Sequence, residues 1–173
     1  MTLAELLAIA RWADGHATFT LDVPLFGGGI KFEVLADHDR ALTERTAETV
    51  RQVQALDASD MARIVEVVWD NYVLNMETTG YGLEVREGQT ETEANLDDFG
   101  IHDAATAYAR TTLKYCLIIE DKQSEYTANY ATLFMDNEWE THGVDIVIRN
   151  GRVVGGGENG LWIGQFEPDA DKA

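Results

Sequence analysis

The chain has 173 residues with a formal net charge of −18, because 31 aspartates and glutamates oppose only 13 lysines and arginines. Its apolar fraction of 45 % is that of a globular protein, and its length favours a single domain. Binding to nucleic-acid phosphates needs clustered cationic side chains, so the composition argues against direct nucleic-acid binding. Anionic membrane surfaces should also repel the chain.

The sequence indicates a cytoplasmic protein without disulfides. The single cysteine, Cys116, stands in the apolar run 113–119, which predicts a buried, small hydrophobic side chain. The first ten residues lack a basic start and include Glu5, which is untypical of a secretion signal. No stretch approaches the roughly 20 apolar residues that a membrane span needs. We therefore expect a cytoplasmic location.

A short helix and a β-hairpin are predicted at the start of the chain. Thr2 and Glu5 form a capping-box pattern, and the helix that they begin is expected to end near Asp14-Gly15. Apolar and polar residues alternate over 17–23 and again over 30–36, as they do in half-buried strands. These two strands are expected to pair with each other.

Two longer helices are predicted after the hairpin. The first covers 43–56, and the second covers 61–76, where apolar residues recur at helical spacing. That apolar stripe consists of Met61, Ile64, Val65, Val68, Trp69, Tyr72 and Met76. The acidic segment 84–98 is interpreted as a solvated, turn-rich loop or as part of a partner-facing surface, and a short helix is expected within 101–111.

The second half of the chain predicts a strand meander. Strands are expected at 114–120, 126–134, 144–149, 152–154 and 161–163. Continuous hydrophobicity places the first of them at the centre of the sheet, and Asn150-Gly151 predicts a tight hairpin turn. The fold class is therefore α+β, an antiparallel sheet with helices packed on one face. One domain is expected over residues 1–166, followed by a polar C-terminal tail over 167–173.

The motifs indicate no cofactor and no metal. The triplets Gly27–Gly29 and Gly155–Gly157 are not followed by Gly-Lys-Ser/Thr, and we interpret them as turns or bulges. Adjacent side chains of Asp37-His38-Asp39 point to opposite faces of an extended segment and cannot all converge on one ion. Neither Ser59 nor Ser124 lies in a Gly-x-Ser-x-Gly motif, so serine hydrolase chemistry has no support.

The most distinctive run is 138–143, between two predicted strands. Glu138, Glu140 and His142 are residue types that perform acid–base chemistry. In a structural interpretation, Trp139 packs on the sheet, His142 bonds to the backbone and Gly143 adopts a positive φ. A third interpretation is recognition of a partner.

The run Trp139-Glu140-Thr141-His142-Gly143, with the alternating strand 144–149 and the Asn150-Gly151 turn, resembles a group of bacterial domains of unknown function. These domains are often encoded in polymorphic-toxin and contact-dependent inhibition loci, where they are treated as candidate immunity proteins. The likeness in sequence covers about residues 134–155, and a similar order of elements extends it over much of the chain. The resemblance implies a cytosolic antitoxin that binds one cognate toxin without turnover.

The charge of the chain is compatible with such a role. A strongly acidic protein is steered electrostatically to the basic cleft of a nuclease-type toxin. Carboxylates would then take the positions of phosphates, while aromatic residues such as Tyr81 or Trp162 anchor the contact. The candidate partner-binding residues are Glu84, Glu87, Glu91, Glu93, Asp97, Asp98, Asp136, Glu138, Trp139, Glu140 and His142.

Three alternatives remain open at this point. The chain would be a small acid/base hydrolase if Glu138, Glu140 and His142 converged in a pocket. It would be an acidic inhibitor of a nucleic-acid-binding complex by the same charge argument. It would be a self-associating interaction domain if a strand edge were exposed. The sequence fixes neither the oligomeric state nor the identity of the toxin.

Overall fold

A computed structural model of the chain describes residues 1–36, 41–120, 125–158 and 162–168. The helices of these residues are α1 (Leu3–Ile9), α2 (Glu44–Gln54), α3 (Ala58–Thr78), α4 (Glu91–Phe99) and α5 (Ala104–Ala109). The strands are β1 (Arg11–Ala13), β2 (His16–Val23), β3 (Gly28–Leu35), β4 (Thr112–Ile119), β5 (Tyr130–Asp136), β6 (Val144–Arg149) and β7 (Arg152–Glu158). Two 3-10 helices cover Pro24–Phe26 and Ile163–Phe166.

The seven strands form one sheet in chain order, from β1 at one edge to β7 at the other. Every neighbouring pair is antiparallel except β3 and β4, which are parallel. A parallel pair needs a long crossover, and here the crossover carries helices α2 to α5. The α+β prediction is confirmed, and so is the central position of β4, which is the fourth strand of seven.

One large core joins the helices to the sheet. Ile64 and Val68 of α3 belong to the same buried cluster as Phe32, Leu133 and Ile146 from three strands. The apolar stripe of α3 therefore faces the sheet, as its periodicity predicted. Cys116 is fully buried in this cluster, which confirms its predicted role as a small hydrophobic residue, and burial raises the pKa of its thiol.

The end of the chain differs from the predicted edge strand at 161–163. Residues Ile163–Phe166 form a 3-10 helix, and Leu161 lies outside the described residues. Ile163 and Phe166 pack against a small second cluster that includes Tyr130 and Val147. The apolar residues of this segment are therefore used to cover the sheet rather than to extend it.

Glu167, the first residue of the predicted tail, is bonded to the segment before β5. The carboxylate of Glu167 accepts hydrogen bonds from the backbone N–H (3.2 Å) and the hydroxyl of Thr127. The C-terminal residues 169–173 lie outside the described residues.

The N-terminal helix is shorter than predicted, because Asp14-Gly15 forms a hairpin turn instead of a helix end. The capping box of Thr2 and Glu5 is confirmed, but α1 ends at Ile9. Asp14 and Gly15 have φ values of +50° and +83°, the left-handed conformations of a primed hairpin turn. The turn pairs β1 with β2, so the sheet has a short edge strand that the sequence analysis missed.

The later hairpin follows its prediction more closely. Asn150 and Gly151 have φ values of +48° and +75° and connect β6 to β7. The triplet Gly155–Gly157 lies in β7, where a register shift against Val147 and Ile148 marks a bulge. Strand β5 begins at Tyr130 rather than 126, because the guanidinium of Arg45 bonds the carbonyl of Tyr126 (3.1 Å) and the side chain of Asn129 (2.8 Å).

Candidate partner-binding surface

The acidic segment 84–98 is not a loop throughout, since its second part forms α4. Thr90 and Glu93 make a reciprocal capping box, in which the backbone N–H of Thr90 donates to Glu93 (2.8 Å) and the N–H of Glu93 donates to the Thr90 hydroxyl (3.2 Å). These hydrogen bonds lower the pKa of Glu93. The prediction of a loop was wrong for this part. Its acidic composition is typical of a solvated loop, but the capping pattern of Thr90 and Glu93, which is visible in the sequence, indicates a helix.

Four aromatic rings connect α4 to the rest of the molecule, and we call them the aromatic cluster: Tyr72, Tyr81, Phe99 and Trp139. Tyr72 lies edge-on to Trp139, with ring centroids 5.2 Å apart, and 6.5 Å from Phe99. Phe99 in turn lies 5.0 Å from Tyr81. The cluster therefore holds α3, the segment after it, the end of α4 and the loop after β5 against one another.

Trp139 is the buried centre of the loop after β5. Only 3 % of its surface is exposed. Its indole N–H donates to Asn71 Oδ1 (3.0 Å), and its backbone carbonyl accepts from the hydroxyl of Tyr81 (2.9 Å). The prediction that Trp139 contacts a partner is therefore corrected: its side chain is buried and holds the loop to α3, whereas the structural interpretation placed it on the sheet.

Two further residues fix the path of this loop. Asn137 Oδ1 accepts from the backbone N–H groups of Trp139 (3.1 Å) and Glu140 (2.8 Å). Gly143 has a φ of +70°, and a Cβ there would lie 2.7 Å from the carbonyl oxygen of Met135. Only glycine fits this position, so the predicted positive φ is confirmed.

Asp136 and Glu138, the two carboxylates that precede Trp139, are partly neutralised. Glu138 pairs with Arg110, which also donates to the carbonyl of Phe99 at the end of α4 (3.1 Å). Asp136 pairs with Lys114 at 3.1 Å. Both pairs are close to half exposed, so each contributes little to stability. Arg110 nevertheless brings Glu138 to the end of α4, so the two predicted acidic segments adjoin.

Glu140 lies in a different environment from Glu138. Its half-buried carboxylate faces the amides of Asn71 and Asn75 on α3, and the charge of Glu158 is near. Burial raises the pKa of this carboxyl group above its ordinary value. Its Oε2 atom is buried and has no hydrogen-bond partner among the described residues.

This arrangement separates the two carboxylates of the hydrolase hypothesis, whereas the charge of His142 lies close enough to Glu140 to oppose the rise in its pKa. Glu138 points to Arg110, Glu140 points to α3, and His142 is exposed. A pair of carboxylates that acts on one substrate must converge on it. In the described part of the chain, these two side chains are held by different elements on either side of Trp139.

The carboxylates of the segment 84–98 remain exposed. The exposed residues are Glu84, Glu87, Glu91, Glu93, Asp97 and Asp98. Glu84, Asp97 and Asp98 line a groove of about 330 Å³ together with Arg86 and Gln89. The amide of Gln89 donates to Asp97 (3.0 Å) and so ties the segment before α4 to the helix. We call the six exposed residues, Glu84, Glu87, Glu91, Glu93, Asp97 and Asp98, the acidic surface.

An apolar hollow of about 280 Å³ lies on the other flank of α4. The hollow was not predicted from the sequence, because it exists only where α4 packs beside α3. Its walls are Trp69, Val73 and Met76 of α3, Thr92 and Leu96 of α4, and Ile101, with Glu77 and His102 also lining it. The sequence feature that bears on this hollow is the capping pattern of Thr90 and Glu93, which identifies α4 as a helix.

Other candidate chemistry finds little support in the described residues. No group of three or more histidine, cysteine, aspartate or glutamate side chains within them is arranged to hold a metal ion. The run Asp37-His38-Asp39 and Ser124 lie outside them. Among the helices that the structure describes, none combines the length and apolar content needed to cross a membrane.

Comparison with known proteins gives a family without an assigned activity. The sequence model of the family described as "Domain of unknown function (DUF6985)" matches residues 5–162. No curated protein and no solved structure gives a significant match.

Proposed function

The chain belongs to the DUF6985 family, and we propose that this member is a binding protein of the immunity or antitoxin type. In this proposal, the acidic surface holds a basic bacterial toxin or effector and blocks it stoichiometrically. The protein performs no chemistry of its own. An acidic inhibitor of a nucleic-acid-binding complex would use the same surface.

The observation that supports the proposal is the exposure of six carboxylates on one firmly held segment. Helix α4 is anchored by Asn95, whose amide donates to the carbonyls of Met76 and Thr79, and by the aromatic cluster at its end. Three of them, Glu84, Asp97 and Asp98, line the groove, to which Arg86 alone among the described residues supplies a cation. A preorganised set of like charges loses little entropy on binding, which favours affinity for an oppositely charged partner.

The net charge of the whole molecule acts in the same direction. At −18, the chain attracts cationic proteins over distances of about a Debye length, roughly 8 Å at physiological ionic strength. Such steering raises the association rate and makes it depend on salt. An active site for phosphates, which is rich in lysine and arginine, is the kind of partner surface that fits.

The test begins with capture of partners from the lysate of the native host at low salt, followed by measurements with the purified partner. Affinity is then determined at 20, 150 and 500 mM NaCl for the wild type and for the triple variant Glu84→Lys, Asp97→Lys, Asp98→Lys. We expect a basic protein bound in equal amount. We expect its affinity to fall at least about tenfold with salt and again in the variant. Its toxic activity should be lost in the stoichiometric complex.

A matched variant controls for net charge. Glu44→Lys, Glu66→Lys and Glu125→Lys change the charge by the same amount at exposed positions outside the acidic surface. This variant should change the association rate modestly and keep the complex intact. Equal losses in both variants would show that overall charge rather than the acidic surface binds the partner. Affinity that does not respond to salt would contradict the proposal outright.

A further inference from the structure

The apolar hollow between α3 and α4 adjoins the acidic surface. Residues 92 and 96 lie four positions apart on one flank of α4 and face the hollow, while residues 94, 97 and 98 lie on the other flank and line the acidic groove. One nine-residue helix therefore separates an apolar recess from a row of carboxylates. The two features would be covered together by any partner that lies across α4.

The walls of the hollow are apolar and held in place. Met76 and Ile101 are buried in the core, and Trp69, Val73 and Leu96 are half-buried side chains that pack against it. The buried amide of Asn95 fixes the adjoining turn by donating to the carbonyls of Met76 (2.9 Å) and Thr79 (3.1 Å). The recess is thus a preformed site, and filling it needs no rearrangement of the backbone.

The size and the surrounding charge of the hollow define its occupant. About 280 Å³ is at the lower limit of small-molecule sites and suits one large side chain. Glu77 lines the hollow beside His102, and Asp97 and Asp98 of the acidic surface stand across α4 from it. Carboxylates beside an apolar recess favour an apolar residue that is flanked by cationic ones.

We propose that the hollow receives one aromatic or large aliphatic side chain of a protein partner, from a segment with lysine or arginine on either side. This inference rests on the proposed function and deepens it. The acidic surface provides attraction and orientation, whereas the hollow provides the desolvated anchor on which affinity depends. Truncation of that anchor in the partner would raise the dissociation rate more than it lowers the association rate.

Two synthetic peptides test the proposal without knowledge of the partner. One is acetyl-Lys-Lys-Gly-Trp-Gly-Lys-Lys-amide, and the other has serine in place of tryptophan. Titrations at 20 and 500 mM NaCl, followed by calorimetry and methyl NMR, should show the tryptophan peptide binding at least about tenfold more tightly at the lower salt concentration. Its binding should shift the methyl signals of Val73, Met76, Leu96 and Ile101, and the serine peptide should leave them unchanged.

Variants that fill the hollow provide the second arm. Val73→Trp places an indole in the recess and should abolish the difference between the two peptides. Leu74→Trp is the matched control, because Leu74 is 55 % exposed and does not line the hollow. Thr92→Trp fills the recess from α4 and serves if thermal melting shows that Val73→Trp has not folded.

The outcomes separate this inference from the proposed function. Equal, salt-sensitive affinity for both peptides would overturn the anchor and leave the acidic surface supported. Selective binding of the tryptophan peptide that does not respond to salt would support the hollow and contradict the electrostatic role of the acidic surface. If neither peptide binds at millimolar concentration, both proposals fail. Loss of selectivity in Leu74→Trp would also overturn the assignment of the hollow.

Discussion

The carboxyl group of Glu140 has a higher pKa in the folded protein than a glutamate has in water. A glutamate of ordinary pKa is ionised at neutral pH, yet this carboxylate is half-buried beside Asn71 and Asn75 with the charge of Glu158 nearby. Burial is the largest cause of its raised pKa, and the amides only partly offset it. The charged form therefore costs stability in the folded protein.

We predict that Glu140→Gln stabilises the protein at neutral pH and not in acid. The folded state binds this proton more tightly than the unfolded state does, since the folded pKa lies above the ordinary value of 4.5. Stability of the wild type therefore falls as pH rises from about 4.5 through the folded pKa, and stays lower above it. The melting temperature of the variant should exceed that of the wild type at pH 7.5, and the difference should vanish near pH 4.

The control for this experiment removes one negative charge elsewhere. Glu87→Gln alters an exposed side chain of the acidic surface. Its melting temperature should follow that of the wild type across the same pH series. If both variants gain stability equally, the effect belongs to the net charge of the molecule rather than to the burial of Glu140.

Trp139 supports a second prediction at the scale of the residue. Trp139→Phe removes the indole N–H, so that Asn71 Oδ1, on a side chain only 5 % exposed, loses its donor. An unsatisfied buried polar group and the lost ring volume together should lower the free energy of unfolding by about 2–4 kcal/mol. Urea denaturation followed by circular dichroism measures it.

Trp162→Phe is the matched control, because Trp162 is 64 % exposed. Its free energy of unfolding should stay within about 0.5 kcal/mol of the wild type. A comparable loss in the two variants would mean that the hydrogen bond to Asn71 does not fix the loop.

At the scale of elements, the sequence predicts what depends on local periodicity. The stripe from Met61 to Met76 identifies α3, and the continuous hydrophobicity within 114–120 identifies a central strand. Helix α4 was not predicted, because its closely spaced carboxylates are typical of a solvated loop, although Thr90 and Glu93 form a capping pattern. The 3-10 helix Ile163–Phe166 was also missed, since its residues take their conformation from the second cluster on the sheet, which is a long-range contact.

The contact between β7 and α3 depends on Gly156, for which the sequence predicts only a turn or a bulge. A Cβ on Gly156 would lie 2.6 Å from Val67 Cγ1 and would collide with the carbonyl oxygen of Asp145. Because one of these atoms is backbone, the strand must move away from its neighbour. We predict that Gly156→Ala lowers the free energy of unfolding by at least about 2 kcal/mol, measured by urea denaturation.

Gly28→Ala provides the comparison, because no atom lies within 4 Å of a Cβ at that position. Both glycines lie in strands, so the change in backbone entropy is similar. This variant should match the wild type within about 0.5 kcal/mol or be slightly more stable. An equal loss in the two variants would assign the effect to strand flexibility instead of to packing on α3.

At the scale of the whole molecule, the fold places two acidic segments side by side that are far apart in the sequence. Segments 84–98 and 136–142 were both candidates for partner binding, but their proximity follows from the aromatic cluster and from Arg110, which joins Glu138 to the end of α4. Those contacts join residues that lie between 11 and 67 positions apart in the chain, and no local pattern encodes them. The same packing withdraws Trp139 from the surface and creates the apolar hollow.

The charge of −18 predicts that salt stabilises the isolated protein. Repulsion among exposed carboxylates weakens as the Debye length falls from about 30 Å at 0.01 M to about 10 Å at 0.1 M salt. Screening also weakens exposed ion pairs such as Lys114 with Asp136, but each of these contributes only about 0–1 kcal/mol. Repulsion therefore dominates, and the melting temperature should rise between 10 and 200 mM NaCl and then level off.

The triple variant of the acidic surface tests the origin of this rise. Three replacements of a carboxylate by lysine add six charges and change the net charge from −18 to −12. Its melting temperature at 10 mM NaCl should exceed that of the wild type, and its rise with salt should be smaller. A rise that continues linearly to molar salt in both proteins would instead reflect exclusion of salt from the protein surface. A fall with salt would mean that ion pairs outweigh the repulsion, and the acidic surface would then not hold the unbalanced charge that a basic partner requires.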